Sequence, residues 1–116
     1  MSLSEDTSIY RTAYRLLILS QPIVSQMPRT CRFDLGQCIT NTLLDVLTLI
    51  IEANRAQDKR QPLYQLKIKH EVLQMLYNVG VDVQAISRKH FATLLPLIDS
   101  LGKQATGWSK SVEKIK

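Results

Sequence analysis

The chain has 116 residues, 45% of them hydrophobic and 22% charged, with only four Gly and four Pro. That balance suits a single domain over residues 1–116 whose core needs neither metal nor disulfide, and it excludes disorder as the overall state. Fifteen Lys and Arg against ten Asp and Glu give a net charge of +5, which favours an acidic partner over a basic one.

The first helix is expected over about 4–27. Ser4, Glu5 and Asp6 supply an N-cap and first-turn acids, which favour the positive helix end. Ile9, Ala13, Leu16, Leu17 and Ile23 follow at helical spacing; Pro22 should kink or shorten the helix, and Pro28 marks the break. The polar, acidic start MSLSEDTSIYR is unlike a secretory signal.

The second helix, about 31–55, carries Leu35, Ile39, Leu43, Val46, Leu47, Ile50 and Ala53 at the spacing of a buried stripe. Leu44, Leu49 and Ile51 widen it beyond one face, so the helix is either central or apolar toward a second subunit, and oligomerisation is expected. The run Val46 to Ile51 is interrupted by Thr48 and bounded by Asp45 and Glu52, far short of the ~20 residues that cross a bilayer. No membrane partner and a cytoplasmic location are therefore expected. Cys31 and Cys38 lie two helical turns apart, a rise of ~10 Å, whereas a disulfide needs Cα atoms within ~7 Å. They read as free thiols in a reducing compartment, with Cys38 a small buried residue.

Asn54 to Gln61 is a polar loop, and Pro62 suits the first turn of a third helix over about 62–79 with Leu63, Leu66, Leu73, Leu76 and Tyr77 inward. Gly80 is the expected stop. After a connector, Ser87 can cap a fourth helix, about 87–112, with Phe91, Leu94, Leu95, Ile98, Leu101, Ala105 and Trp108 inward and a kink at Pro96. Short connections favour antiparallel neighbours, so the fold class is all-α, an antiparallel up-down-up-down four-helix bundle.

No catalytic constellation stands out. His70 and His90 fall in different predicted helices, with no companion ligand beyond Glu71 and Asp82, whereas zinc needs about four converging ligands. No local signature pairs either cysteine with a histidine. The four glycines are scattered, so there is no phosphate-cradling loop. Gly36, Gly102 and Gly107 sit inside helical pattern, where glycine is less favourable than alanine by ~1 kcal/mol, and close helix packing is their expected reason. The chain thus reads as a non-enzyme without cofactor or metal; an enzyme built on His70 or His90 is the competing class.

The basic residues carry more information. Residues 1–58 hold five basic and six acidic side chains, and residues 59–116 ten basic and four acidic. Arg29 and Arg32 flank the start of the second helix, Lys59 and Arg60 occupy the following loop, and Lys67 and Lys69 decorate the third helix. Arg88 and Lys89 open the fourth, where positive charge works against the macrodipole, and Lys103 and Lys110 extend the set. Together they are candidates for salt-sensitive contact with the phosphate backbone of RNA or DNA. Tyr10, Tyr14, Tyr64, Tyr77, Phe33, Phe91 and Trp108 mostly fall on or beside apolar stripes, which makes core packing their role, Tyr64 least clearly.

Two segments resemble a known family. MPRTCRFDLGQCI, residues 27–39, is similar to the Pro, basic, basic-aromatic, Leu-Gly run that opens the second helix in accessory variability determinant proteins of diversity-generating retroelements. LLPLIDSLGKQATGW, ending at Trp108, resembles the family ending, in which a Gly-rich turn precedes Trp. Proteins encoded in 23S ribosomal RNA intervening sequences share the general layout. The resemblance spans about residues 9–112. It implies a four-helix bundle assembled into a barrel-shaped homopentamer with a basic surface. It further implies association with the retroelement's reverse transcriptase and with nucleic acid during mutagenic copying of a template RNA into cDNA. The matching positions are Pro28, Arg29, Arg32, Leu35, Gly36, Gly107 and Trp108; Arg29 and Arg32 become candidate contacts, and the others look structural. The chain departs from the pattern in having Ala105 and Thr106 ahead of a single Gly107 where many relatives read Gly-Gly-Trp, and its charge is modest for the family. The competing reading is a structural or protein-interaction bundle of the intervening-sequence type without a direct nucleic-acid role.

Overall fold

Thr7 starts the first helix: its backbone is extended, and its Oγ1 accepts the Tyr10 backbone N–H at 3.3 Å, capping α1 (Ser8–Ser25). The computed structural model describes residues 7–115, so the cap expected at Ser4, Glu5 and Asp6 lies outside the described residues. α1 runs through Pro22 and ends three residues later, where the Gln26 N–H reaches the Pro22 carbonyl at 3.1 Å.

Pro28 turns the chain into the second long helix, Arg29–Arg55, which begins earlier than expected. It comprises α2 (Arg29–Cys31), a π-helical segment (Arg32–Gly36) and α3 (Gln37–Arg55). The wider π turn seats Gly36 against Val24 and Met27 of the preceding segment, where a Cβ would lie 2.7 Å from Val24 Cγ1. Although no unbroken apolar run is long, Arg29–Arg55 as a whole is long and apolar enough by composition to cross a membrane. Its most apolar positions, Ile39, Leu43, Val46 and Ile50, are fully buried against the other helices.

α4 (Arg60–Asp82) passes straight through Gly80, contrary to the expected stop. No glycine has positive φ; among the described residues the left-handed one is Gln84, at φ 63°. Gly80 instead permits close approach, because a Cβ there would lie 2.5 Å from Ile86 Cδ1. Its carbonyl also accepts the Ala85 and Ile86 N–H groups at 2.8 and 3.0 Å. Ser87 Oγ accepts the His90 N–H at 3.0 Å and caps α5 (Arg88–Ile115), which continues past Pro96.

Among the described residues there is no strand. α1 packs on α3 and α5, and α4 packs on the same two, in a body measuring 47 × 21 × 21 Å. All four contribute to one core, including Leu16, Leu43, Leu73 and Leu101. Its buried polar pair is Ser20 Oγ and Tyr77 OH, 2.6 Å apart. Burial pushes the Tyr77 phenol up to about 12, against a lowering contribution from the Ser20 hydrogen bond. This pair sets late α1 beside late α4, while Gln104 Nε2 donates to Thr12 Oγ1 at 2.9 Å and sets late α5 beside early α1. The turn after α1 and the turn after α4 therefore share one end of the molecule.

Several expected core positions face outward. Cys38 is exposed rather than buried, because it lies about 100° around the helix from buried Ile39. Leu95 is exposed beside buried Leu94, and Tyr14, Phe33 and Tyr64 are 51%, 64% and 60% exposed. Tyr77 is fully buried, and Tyr10, Phe91 and Trp108 pack half-buried against the core.

Candidate functional site

The basic residues singled out from the sequence separate into three groups. Arg29, Arg32, Arg88 and Lys89, all exposed, lie where α2 and α5 begin, at the shared end of the molecule. α5 has no acid in its first turn, so the partial positive charge of its N-terminus adds to Arg88 and Lys89, whereas Asp34, exposed two residues after Arg32 in the π segment, offsets part of the charge of Arg29 and Arg32.

The second group lines the groove between α4 and α5, a hollow of about 540 Å³ bordered by Lys67, Lys103 and Lys110. Two glycines shape it. A Cβ on Gly102 would lie 2.5 Å from His70 Cε1, so the missing side chain lets the imidazole rest on α5, where its Nε2 sits 2.8 Å from the Ile98 carbonyl. At that distance from a carbonyl, Nε2 carries the proton and donates. Gly107, also in the wall, would bring a Cβ within 4 Å of nothing, so the close packing expected there does not occur. Glu71 and Asp99 line the same hollow and offset part of its charge.

The third group is already engaged. Lys59 Nζ donates to the carbonyls of Ala53, Asn54 and Ala56 at 2.8, 3.2 and 2.7 Å, satisfying acceptors that the end of α3 leaves open. This is helix capping by a side chain from the next loop, and it assigns Lys59 a structural role. Arg60 forms a two-pronged pair with Asp58, Nε to Oδ1 and Nη2 to Oδ2, each at 2.9 Å. The hydrogen bond and charge of Asp58 hold the guanidinium above its ordinary value. Lys69 pairs with Asp45 across α3 and α4 at 3.1 Å, a contact no local spacing could show.

One cationic surface was missed in the sequence. Arg11 and Arg15 lie on α1 with Tyr10, Tyr14 and Ile18 around a shallow hollow, and the two tyrosine rings are stacked. The signal was present as YRTAYR, residues 10–15, but both tyrosines were assigned to the core by their neighbourhood in the apolar pattern. Among the described residues no group of three His, Cys, Asp or Glu could hold a metal ion. Cys31 is half-buried and Cys38 exposed, and both are free thiols. His90 is exposed at the start of α5, more than two helical turns before Asp99, the first α5 residue to line the groove that holds His70.

A family model described as bAvd-like matches residues 9–112, nearly the whole described chain. The match includes both segments on which the resemblance rests, residues 27–39 and the ending at Trp108. No curated protein matches the sequence.

Proposed function

The chain belongs to the bAvd-like family of accessory variability determinants, and from that premise we propose that it is a non-enzymatic, nucleic-acid-binding accessory protein of a diversity-generating retroelement. It associates with the retroelement's reverse transcriptase in the cytoplasm during mutagenic cDNA synthesis. The observation that carries this reading is the match over residues 9–112. The proposal includes an up-down-up-down course of the helices and assembly into a homopentamer.

The physical role is that of a scaffold. Exposed Arg29, Arg32, Arg88 and Lys89 gather phosphate groups at one end, while Lys67, Lys103 and Lys110 offer a second row along the α4–α5 groove. Each phosphate neutralised releases counterions, so affinity falls steeply with salt. Repetition of the surface in an oligomer converts several weak contacts into one strong attachment. None of these steps needs a bond-making residue.

The test is co-expression of the tagged chain with the reverse transcriptase and its template RNA, followed by affinity purification. Recovery of polymerase and RNA with the wild type, and loss of RNA on combined Arg29→Gln, Arg32→Gln, Arg88→Gln and Lys89→Gln, supports the proposal. Recovery of neither from the wild type contradicts it.

One observation favours a second reading. α4 turns Tyr64, Ile68, Met75 and Val79 outward along a single stripe, a surface suited to a protein contact. A protein-interaction bundle without nucleic-acid affinity accounts for that stripe as well, and the RNA arm of the purification separates the two.

A further inference from the structure

Toward the turn after α4, the α4–α5 groove holds a second, smaller hollow of about 260 Å³, lined among the described residues by Gln74, Asn78, Phe91, Leu95 and Ile98. Gln74 and Asn78 stand one turn apart on α4, so their amides share a face, with Cβ atoms ~5–6 Å apart. Gln74 is half-buried and Asn78 exposed, and among the described residues neither amide is engaged in a hydrogen bond. Half-buried Phe91, partly exposed Leu95 and buried Ile98 supply an apolar wall from α5. The Ile98 carbonyl faces His70 Nε2 at 2.8 Å, a contact that lies where this pocket meets the larger, lysine-bordered hollow. Arg88 precedes Phe91 and Leu95 on the same three-and-four stripe of α5, which places it at the outer end of the pocket, next to Lys89. Both cations are exposed, and exposed Asp82, in the last turn of α4, offsets part of their charge. The pocket belongs to the half of the molecule that carries the turns after α1 and α4, away from the end where α1 begins and α5 finishes.

We propose that this pocket takes one base of an unpaired nucleic-acid strand, with the Gln74 and Asn78 amides bonding its edge, Phe91 and Leu95 against its face, and Arg88 on the adjoining phosphate. The inference rests on the nucleic-acid reading above and adds a base contact to the phosphate contacts proposed there. The amides, not net charge, select the occupant. Each offers one carbonyl acceptor and two N–H donors, and the edge of a base presents acceptors and donors side by side, so one amide can engage two of them at once. The apolar wall suits the flat face of the same ring. The volume lies below the ~300–1,000 Å³ that holds drug-sized ligands, which fits a single base rather than a whole nucleotide. In a duplex the pairing edges are taken and the faces are covered by neighbouring base pairs, so the pocket is open only to an unpaired strand. The guanidinium of Arg88 then matches the phosphate that every such base carries with it.

The test is fluorescence anisotropy of three labelled probes of one length: a structureless oligouridine, the same sugar-phosphate strand without bases, and a duplex. Circular dichroism confirms the fold of each variant. The wild type should bind oligouridine about tenfold more tightly than the abasic strand. Combined Gln74→Leu and Asn78→Leu, which keep helix-forming side chains of similar size, should abolish that difference while leaving the abasic strand, the duplex and the salt slope unchanged. Arg88→Gln should weaken both single strands alike and lower the salt slope by about one. If the wild type binds oligouridine no better than the abasic strand, or the double variant binds it as well as the wild type does, the base pocket is refuted while the nucleic-acid reading stands. If the wild type binds none of the three probes at low salt, both fail. Loss of polymerase recovery in the double variant with oligouridine binding intact would assign the pocket to a protein and refute the proposal.

Discussion

At Gly36 an added Cβ would lie 2.7 Å from Val24 Cγ1, while at Gly107 it would meet nothing within 4 Å. Val24 is β-branched and stiff, so it yields poorly. Gly36→Ala is therefore expected to destabilise the protein by about 1–3 kcal/mol through overpacking, and Gly107→Ala to stabilise it by up to ~1 kcal/mol through helix propensity, both read by urea unfolding. Sequence pattern treats these glycines alike, because the neighbour that distinguishes them belongs to another segment. The same holds for Tyr77, legible as a core residue but not as the partner of Ser20, which lies on a different helix. The phenol is held at about 12 in the folded protein against 10.0 when unconstrained, so the folded state binds its proton more tightly. Its contribution is complete below pH 10.0 and is lost as pH rises toward about 12, in total about 2–3 kcal/mol. Unfolding measured across that window should show this loss in the wild type and its absence in Tyr77→Phe, which carries instead a pH-independent cost of ~1 kcal/mol.

The helices themselves were legible from hydrophobic spacing, because burial of one stripe per helix is what joins the four. Their ends were less so. Gly80 satisfied the composition of a helix stop, yet its function is to admit Ile86, and the positive-φ position fell to Gln84, which no propensity favours. The π turn at Arg32–Gly36 had no signature of its own, since it answers to packing against α1 rather than to local preference. Lys59 shows the same limit for the candidate site. By composition it was one basic loop residue among several, whereas its ammonium group sits on three carbonyls at the end of α3. Lys59→Met, which keeps the stem and removes the donors, should destabilise the fold by about 1 kcal/mol and leave RNA affinity within twofold of the wild type. Ser87→Ala, which removes the α5 cap, should likewise lower stability by about 1 kcal/mol in the same unfolding assay.

For the molecule as a whole, the sequence disclosed the excess of cations in the second half but not their distribution. Arg29 and Arg32 join Arg88 and Lys89 only because the turns after α1 and α4 share an end, an outcome of helix pairing rather than of spacing. The α1 surface stayed hidden because its tyrosines adjoin the apolar stripe, and only the fold shows that Tyr14 lies just outside it. These separated surfaces make salt the decisive variable, since several dispersed phosphate contacts give a steep dependence where one compact contact gives a shallow one. The central claim is tested most directly by fluorescence anisotropy of a labelled structured RNA, titrated with purified protein at several salt concentrations, with light scattering on the same solutions. The account expects an oligomer that binds tightly at low salt, loses affinity steeply as salt rises, and shows a shallower slope after Arg29→Gln, Arg32→Gln, Arg88→Gln and Lys89→Gln are combined. An absence of binding even at the lowest salt would contradict it and leave a protein scaffold as the function of this surface.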